Sequence, residues 1–338
     1  MKHNTKRVVS LIAAISVAAI TAVTAAQAQD KVVLRMTDAG VSKSQNVQSL
    51  FYMAEKVDEL SNGSLELQIF ADGSLFDQNA GQAAVSSGAV DMAGSNSGFW
   101  SDDVPAMSIF MADYVVKDAD HLAAVWGGSV GEQMNGFLIE KANVRVFGSW
   151  TFGTRTLATG DVGKKIMKPA DLDGVLLREP NFPSWIAVGE AIGAKVVPVP
   201  YSELYLALQT GLVDAHDFPP FSGDQIGLFD NISQVILTWH LTVDHLNMIN
   251  EDVWQSLSDE HKKVLVEASD LARIHNDDTV AKGDLATLES LKERGIDVYA
   301  PDVKAFSDHA RKYYLDNEQW SGNWVPGMYE EIQSLNEG

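Results

Sequence analysis

The 338-residue chain contains no cysteine, which excludes disulfide bonds, thiolate metal sites and a cysteine nucleophile together. Basic residues are also few, because 25 Lys and Arg stand against 46 Asp and Glu and give a formal net charge of −21. This acidity argues against nucleic acid as a partner, since phosphate binding needs a basic face. It argues equally against adsorption to anionic lipid. A chain of this length can bury a sufficient core without disulfides.

Beyond residue 28 the sequence lacks any stretch of roughly 20 unbroken apolar residues, so no membrane insertion of that part is predicted. The N-terminus differs: three basic residues precede an apolar run over residues 8–25, and Ala26-Gln27-Ala28 offers small residues to signal peptidase. We predict that residues 1–28 are a signal peptide cleaved after Ala28, with an N-terminal anchor as the alternative. Removal of its three basic residues changes the formal charge from −21 to −24.

After the signal segment, strand and helix patterns alternate in two successive α/β sets, the second beginning near Val144. Helix-length crossovers between successive strands predict parallel pairing with helices on both faces of a sheet. Strands are predicted over residues 32–36, 65–70, 90–93, 145–150, 175–178, 195–199, 213–215, 235–238 and 246–249.

One helical pattern, from Asp259 to Arg294, is far longer than the rest and is interrupted only by Gly283. A helix of ~36 residues would extend ~54 Å, which is longer than one lobe, so we expect it to brace both. No low-complexity linker is present, so strands must cross between the lobes and form the hinge. We predict one lobe over residues 29–152 plus about 240–280 and a second over 153–239 plus about 281–338.

The most informative stretch runs from Arg178 to Pro219. It contains Arg178-Glu179-Pro180-Asn181 at a strand end, then Ala191-Ile192-Gly193-Ala194, and then the run from Val197 to Ala215, which includes Tyr-Ser-Glu-Leu-Tyr-Leu-Ala-Leu-Gln-Thr-Gly. These motifs, in this order, closely resemble the DctP-like substrate-binding proteins of tripartite ATP-independent periplasmic (TRAP) transporters. The lead-in Pro169-Ala170-Asp171-Leu172-Asp173-Gly174 matches that family too, and the resemblance covers nearly the whole chain after residue 28.

The resemblance implies an α/β, two-lobed periplasmic binding protein of type II-like fold, with crossing hinge strands and a long bracing helix. It implies that the protein is not an enzyme. Such a protein captures a small organic acid anion in the periplasm by lobe closure and delivers it to the membrane subunits of a TRAP permease. The ligand class left open includes carboxylates, sugar acids, sulfonates and zwitterions, and no cofactor is implied.

The same resemblance assigns the carboxylate clamp to Arg178, with Arg155 as a second arginine of the pocket. A guanidinium offers a planar fork of donors that matches a carboxylate and stays charged. Two arginines in a cleft also explain how an acidic protein attracts an anion, because the local field decides. Tyr201 is implied to lie against the ligand, and Asn181 is a candidate donor to the same carboxylate.

Other candidates come from strand ends and from a departure from the family pattern. Asn96, Asp38 and Gln78 follow strands of the first lobe, where open α/β sheets bind ligands. Asp217-Phe218 stands where the family usually has Glu-Asn, and because Phe218 cannot donate a hydrogen bond we expect a drier pocket.

The aromatic residues and the acids of the chain are compatible with a ligand that carries an amine as well as an acid group. Trp239 is a further aromatic candidate, whereas Trp100, Trp150 and Trp185 are interpreted mainly as packing residues. Acids such as Asp38 and Asp244, together with aromatic rings, leave an amine-bearing acid open, since rings attract cations.

Three alternatives remain at this stage. A metal-dependent hydrolase would need His216, Asp217, His240, Asp244 and His245 to converge, but neither a His-Glu-x-x-His nor a Gly-x-Ser-x-Gly motif is present. An ABC-type solute-binding protein shares the function but not the block from Arg178 to Asp214. Finally, some members of the resembled family bind their anion through a bridging metal ion.

Overall fold

The computed structural model describes residues 31–335, so the predicted signal peptide and its cleavage site lie outside the described residues. The described chain forms eleven strands: β1 (Val32–Thr37), β2 (Leu65–Phe70), β3 (Met92–Ser95), β4 (Val144–Thr154), β5 (Thr156–Thr159), β6 (Leu176–Glu179), β7 (Lys195–Pro198), β8 (Ala215–Phe218), β9 (Gln234–Ile236), β10 (Thr242–Asn250) and β11 (Asp297–Tyr299).

Helices cover both sheets. They are α1 (Gln45–Leu60), α2 (Gly81–Ser86), α3 (Ser97–Trp100), α4 (Ala119–Trp126), α5 (Ser129–Ala142), α6 (Pro183–Ala191), α7 (Leu204–Gln209), α8 (Pro220–Gln225), α9 (Glu251–Ser256), α10 (Asp259–Glu293), α11 (Val303–Leu315), α12 (Glu318–Ser321) and α13 (Met328–Ser334). Single 3-10 segments occupy Pro105–Met111, Pro169–Leu172 and Tyr201–Glu203.

The strands form two sheets, each the centre of one lobe. In lobe 1 the order is β2-β1-β3-β10-β4, and in lobe 2 it is β11-β9-β5-β8-β6-β7. β1 pairs in parallel with β2 and β3, which confirms the crossover prediction for the first set. β10 and β5 run antiparallel to their neighbours, because they belong to the segments that cross between lobes. The two-lobed α/β class is therefore confirmed.

Two chain segments cross between the lobes and are bonded to each other. β4 passes through Arg155 directly into β5, so the strand expected to end near Trp150 continues to the hinge. The second crossing runs from the end of β9 to the start of β10. The backbone N–H of Arg155 donates to the carbonyl of Leu241 at 2.8 Å and joins the two crossings. Crossing strands, rather than a flexible linker, thus form the hinge.

The long helix predicted over 259–294 is present as α10, with 35 residues. It packs against α1 and β4 of lobe 1 and against α8 and β11 of lobe 2, so it braces both lobes. Gly283 lies where α8 meets this helix, and a Cβ there would overlap the ring of Phe221. The glycine that interrupts the sequence pattern therefore allows close helix packing.

The C-terminal segment contacts both lobes, because α11 packs on α6 and α13 packs on α5. The lobe boundaries predicted near residues 152, 240 and 280 stay a prediction. None of the helices described within residues 31–335 has the length and apolar character needed to cross a membrane.

Candidate functional site

A cleft of about 990 Å³, its open mouth included, lies between the lobes at the ends of β1, β3 and β6. Lobe 1 contributes the residues after β1 and β3, and lobe 2 contributes the end of β6 and part of β8, with the hinge between them. Most of the predicted site residues line this cleft: Asp38, Gln78, Asn96, Arg155, Arg178, Tyr201 and Phe218. Strand ends from both sheets thus converge where the sequence analysis expects a ligand.

The lobe-2 wall of the cleft carries buried donors that are not used. Arg178 donates from Nε to the carbonyl of Val199 at 2.9 Å, but its Nη2 has no hydrogen-bond partner among residues 31–335. Nε of Arg155 and Nε1 of Trp185 are likewise buried and unpaired within the described chain. An unmade buried hydrogen bond costs about 1–3 kcal/mol, so this wall is suited to an acceptor-rich group.

Asp217 supports Arg155 from behind and does not itself line the cleft. Its Oδ1 accepts from Nη1 of Arg155 at 2.7 Å, and its Oδ2 lies 3.1 Å from Nε2 of His240. Nδ1 of His240 is in turn 2.8 Å from the hydroxyl of Thr238. Burial raises the pKa of Asp217, but Arg155 and His240 outweigh burial and hold this pKa well below its usual range. Asp217 is therefore a carboxylate that fixes the orientation of Arg155.

The guanidinium of Arg155 lies between two aromatic rings. Its Cζ is 4.4 Å from the ring centroid of Trp185 and 5.1 Å from that of Phe218. Where the family usually has an asparagine that can donate a hydrogen bond, Phe218 makes a cation–π contact with Arg155. Such a contact is favourable for a desolvated arginine. Trp185, interpreted from the sequence mainly as a packing residue, lines the cleft from α6, whose first residue is Pro183.

Two more buried carboxyl groups lie close enough to Asp217 to feel its charge, and no sequence motif points to either. Glu179 and Asp113 are 0% and 4% exposed, and their carboxyl oxygens have no partner among the described residues. Burial, and then the charge of Asp217, raise the pKa of each well above its usual value. Burial lowers the pKa of Arg178 to about 10, so Arg178 stays charged at neutral pH. The positive charge of Arg178 is therefore available to a ligand.

The lobe-1 wall carries a nearly buried carboxylate and a buried imidazole. Asp38 follows β1, accepts from the backbone N–H of Gly40 at 2.6 Å through Oδ1, and is 6% exposed. His245 stacks on Trp150 with ring centroids 4.9 Å apart. Burial lowers the pKa of His245 although Asp38 opposes the shift, so this ring is neutral at neutral pH.

Two other polar side chains of lobe 1 are already engaged. Asn96 caps α3 and accepts from the N–H of Gly98 at 3.0 Å. Asp244 accepts from the backbone N–H of Ser97 at 2.9 Å and from Nε1 of Trp126 at 3.1 Å. Neither group is therefore as available to a ligand as Asp38.

Direct hydrogen bonds join the two lobes across the cleft. The hydroxyl of Ser184 in lobe 2 donates to the carbonyl of Gly98 in lobe 1 at 2.8 Å. The N–H of Gln45 in lobe 1 donates to Oε1 of Gln225 in lobe 2 at 2.9 Å. Burial, and then the charge of Asp38 in the opposite lobe, raise the pKa of Tyr201 to about 12.

Besides Asp217, which lies behind Arg155, two predicted residues are not brought to the cleft. Asn181 is exposed, and Trp239 is 36% exposed with a positive φ of 46° on the returning segment. Neither is among the residues that line the cleft. Their contact with a ligand stays a prediction.

The residues proposed for a metal hydrolase do not form a metal site. His240 reaches Asp217, but His216 packs edge-on against Phe229 and Asp244 is held by Ser97. Within residues 31–335 no group of three His, Asp or Glu side chains has a geometry that could hold a metal ion.

Comparisons with known proteins agree with this geometry. The family model described as "Bacterial extracellular solute-binding protein, family 7" matches residues 38–319. The sialic acid-binding periplasmic protein of Vibrio cholerae serotype O1 is 26% identical over 89% of this chain and 93% of its own length. The 2,3-diketo-L-gulonate-binding periplasmic protein of Escherichia coli is 29% identical over 75% of this chain and 76% of its own.

A solved structure is similar as well. A TRAP periplasmic solute-binding protein from Roseobacter denitrificans, with bound 3-deoxy-D-manno-oct-2-ulosonic acid, superposes with a TM-score of 0.86 at 28% identity. The match covers 90% of this chain and all of the other.

Proposed function

Because the chain belongs to family 7 of the bacterial extracellular solute-binding proteins, we propose that it is the binding subunit of a TRAP transporter and holds a small organic acid anion in its interlobe cleft. The acid groups of the ligands named for its relatives support this, since sialic acid, diketogulonate and deoxy-octulosonic acid are all carboxylates at neutral pH.

The observation that carries the proposal is the set of unpaired buried donors on the lobe-2 wall, on Arg155, Arg178 and Trp185. A carboxylate supplies acceptor lone pairs on two oxygens and a negative charge, so it can satisfy several of these donors at once. Arg178 keeps its positive charge at neutral pH, and Asp217 fixes the guanidinium of Arg155. The anion site is therefore largely formed before the ligand arrives.

Arg178→Ala tests this assignment by calorimetry, after a thermal-shift screen of organic acids has identified a ligand. Truncating one partner of a buried charged pair costs roughly 2–5 kcal/mol, so we expect binding to weaken by ~30-fold or more. Arg178→Lys should recover little, because an ammonium lacks the planar fork. Arg311→Ala, which removes an exposed arginine outside the cleft, is the control and should bind like the wild type. A folded Arg178→Ala variant that binds within about threefold of the wild type would place the clamp elsewhere.

We also infer that ligand binding closes the lobes without chemical conversion. The contacts of Ser184 and Gln45 across the cleft exist only when the lobes are together, and a ligand that bridges both walls favours that state. Solution scattering should give a smaller radius of gyration with ligand than without it. Conversion of the ligand by the pure protein would instead support an enzyme.

Export to the periplasm and delivery to a TRAP permease complete the proposal. The basic N-terminal residues, the apolar run and Ala26-Gln27-Ala28 support cleavage after Ala28. Mass spectrometry of the periplasmic protein should show a chain that begins at Gln29. A retained N-terminus would contradict the cleavage.

A further inference from the structure

Asp38 places a carboxylate in the cleft, and binding of an anion does not account for it. Its carboxyl group is nearly buried, and Oδ1 is used by the N–H of Gly40. Oδ2 has no hydrogen bond to any described residue. Nε2 of His245 lies 3.7 Å from it, which is too far for a hydrogen bond. Nε2 of His245 is itself buried without a partner among residues 31–335. One carboxylate oxygen on the lobe-1 wall is thus available to a donor in the cleft.

The backbone beneath this pair is shaped to hold it. Gly94 lies in β3, and a Cβ at that position would fall inside the contact distance of Oδ2 of Asp38 and 2.9 Å from Cε1 of His245. Only glycine therefore lets the carboxylate and the imidazole lie against the strand. Because Gly40, Gly94 and the Trp150 ring fix the two side chains from three directions, the position of Oδ2 is well defined.

The charges of the two walls are opposite and separate. On lobe 2, Asp217 forms an ion pair with Arg155, while Arg178 has no carboxylate of the described residues within ion-pair distance. On lobe 1, no Lys or Arg of the described chain lies within ion-pair distance of Asp38. Aromatic rings of Phe99, Phe152 and Tyr201 line the space between, and such rings tolerate or attract a cation.

We propose that the ligand is a zwitterion, whose carboxylate binds at Arg155 and Arg178 and whose ammonium group donates to Oδ2 of Asp38. This rests on the proposed function, because the anion end must be held by lobe 2. An ammonium supplies both the missing donor and the missing positive charge, whereas a hydroxyl supplies only the donor. A buried carboxylate without a counter-charge is unfavourable, so the ammonium fits this wall better.

Matched ligands test the proposal on the wild-type protein. Straight-chain amino acids with the amine at successive positions are each compared by calorimetry with the hydroxy acid and the unsubstituted acid of the same length, and sugar acids are included. We expect at least one amino acid to bind about tenfold tighter than its hydroxy analogue, because hydrogen bonds to charged groups are stronger. If a hydroxy acid or a sugar acid binds as tightly as every amino acid, the zwitterion inference is overturned while the proposed function stands. If no acid of any kind binds, both fail.

Asp38→Asn then assigns the preference to one residue. An amide oxygen can still accept from Gly40, but the charge is gone, so the tenfold preference for the amine should disappear while binding of the hydroxy acid changes by less than about threefold. Asp102→Asn is the control, because Asp102 is an exposed carboxylate of lobe 1 that does not line the cleft. A preference that survives in Asp38→Asn, or is lost in Asp102→Asn, would contradict the role of Asp38.

Discussion

The two walls of the cleft carry buried groups of opposite charge. The lobe-2 wall stacks a guanidinium between two rings, fixes it with a buried carboxylate, and leaves donors unpaired. The lobe-1 wall places a carboxylate and a neutral imidazole over a glycine and leaves one carboxylate oxygen without a hydrogen bond. The two walls therefore differ in charge, with arginines on lobe 2 and a carboxylate on lobe 1. We expect lobe 2 to select for an acid and lobe 1 to select among acids.

Asp217→Ala should have the largest effect, because it breaks the lobe-2 wall. The substitution leaves Arg155 buried without its ion-pair partner, which costs ~3 kcal/mol or more. For a protein of this size that corresponds to a fall of roughly 4–6 °C in the thermal unfolding midpoint. Asp173→Ala, which removes an exposed carboxylate of the same lobe, should leave the midpoint unchanged. Equal midpoints for the two variants would mean that Asp217 does not hold Arg155.

Gly94→Ala should disrupt the lobe-1 wall with a smaller loss of stability than Asp217→Ala. The new methyl group would overlap Oδ2 of Asp38 and crowd His245, and such overpacking typically costs about 1–3 kcal/mol. Gly81→Ala is a matched control on the same wall, since its nearest neighbour, Cγ2 of Thr37, would be at an ordinary 3.8 Å. Calorimetric unfolding should show a lower midpoint for Gly94→Ala only. If the two variants unfold together, the space above Gly94 is not filled as described.

Glu179→Gln tests the lobe-2 wall through the pH dependence of the unfolding free energy. Because burial raises the pKa of Glu179, the folded protein holds this proton more tightly than the unfolded chain does. The stability that the proton provides is complete below the ordinary pKa of a glutamate and is lost as the pH rises through the raised value. Relative to the variant, the wild type should therefore lose unfolding free energy from about pH 5 upward. Thermal melts of both proteins over this range measure the difference, and a constant difference would show that Glu179 is ionised throughout.

Phe218→Asn should have the smallest effect and should act on preference rather than on folding. It removes a cation–π contact of ~1 kcal/mol from Arg155 and adds an amide donor to the anion site. The affinity ratio of a dicarboxylate to a monocarboxylate should rise by about fivefold, because the extra carboxylate oxygens can accept from the amide. Phe218→Leu removes the ring without adding a donor, so it should leave this ratio unchanged. Equal shifts in both variants would assign the effect to the lost ring.

The sequence was informative where a local pattern decides the structure. The alternation in Leu65–Phe70 and the unbroken pattern of α10 predicted their elements to within a residue, and Arg178 was placed at a strand end. The pairing of Asp38 with His245 could not be predicted. It depends on β10 returning antiparallel beside β3, with Leu246 opposite Ser95, and that register is set by the hinge geometry. Trp185 was underestimated for a similar reason, since its contact with Arg155 joins two segments that are distant in sequence.

The position of Arg155 has a consequence for how a ligand leaves. Arg155 lies on the crossing segment between β4 and β5, and its backbone is bonded to Leu241 of the other crossing. A group close to a rotation axis moves little when two bodies swing apart, whereas a group on the far wall moves through a longer arc. For the proposed ligand, we therefore expect opening of the lobes to break the contact with Asp38 first and the contact with Arg155 last. The carboxylate end would then be released after the rest of the molecule is already in water.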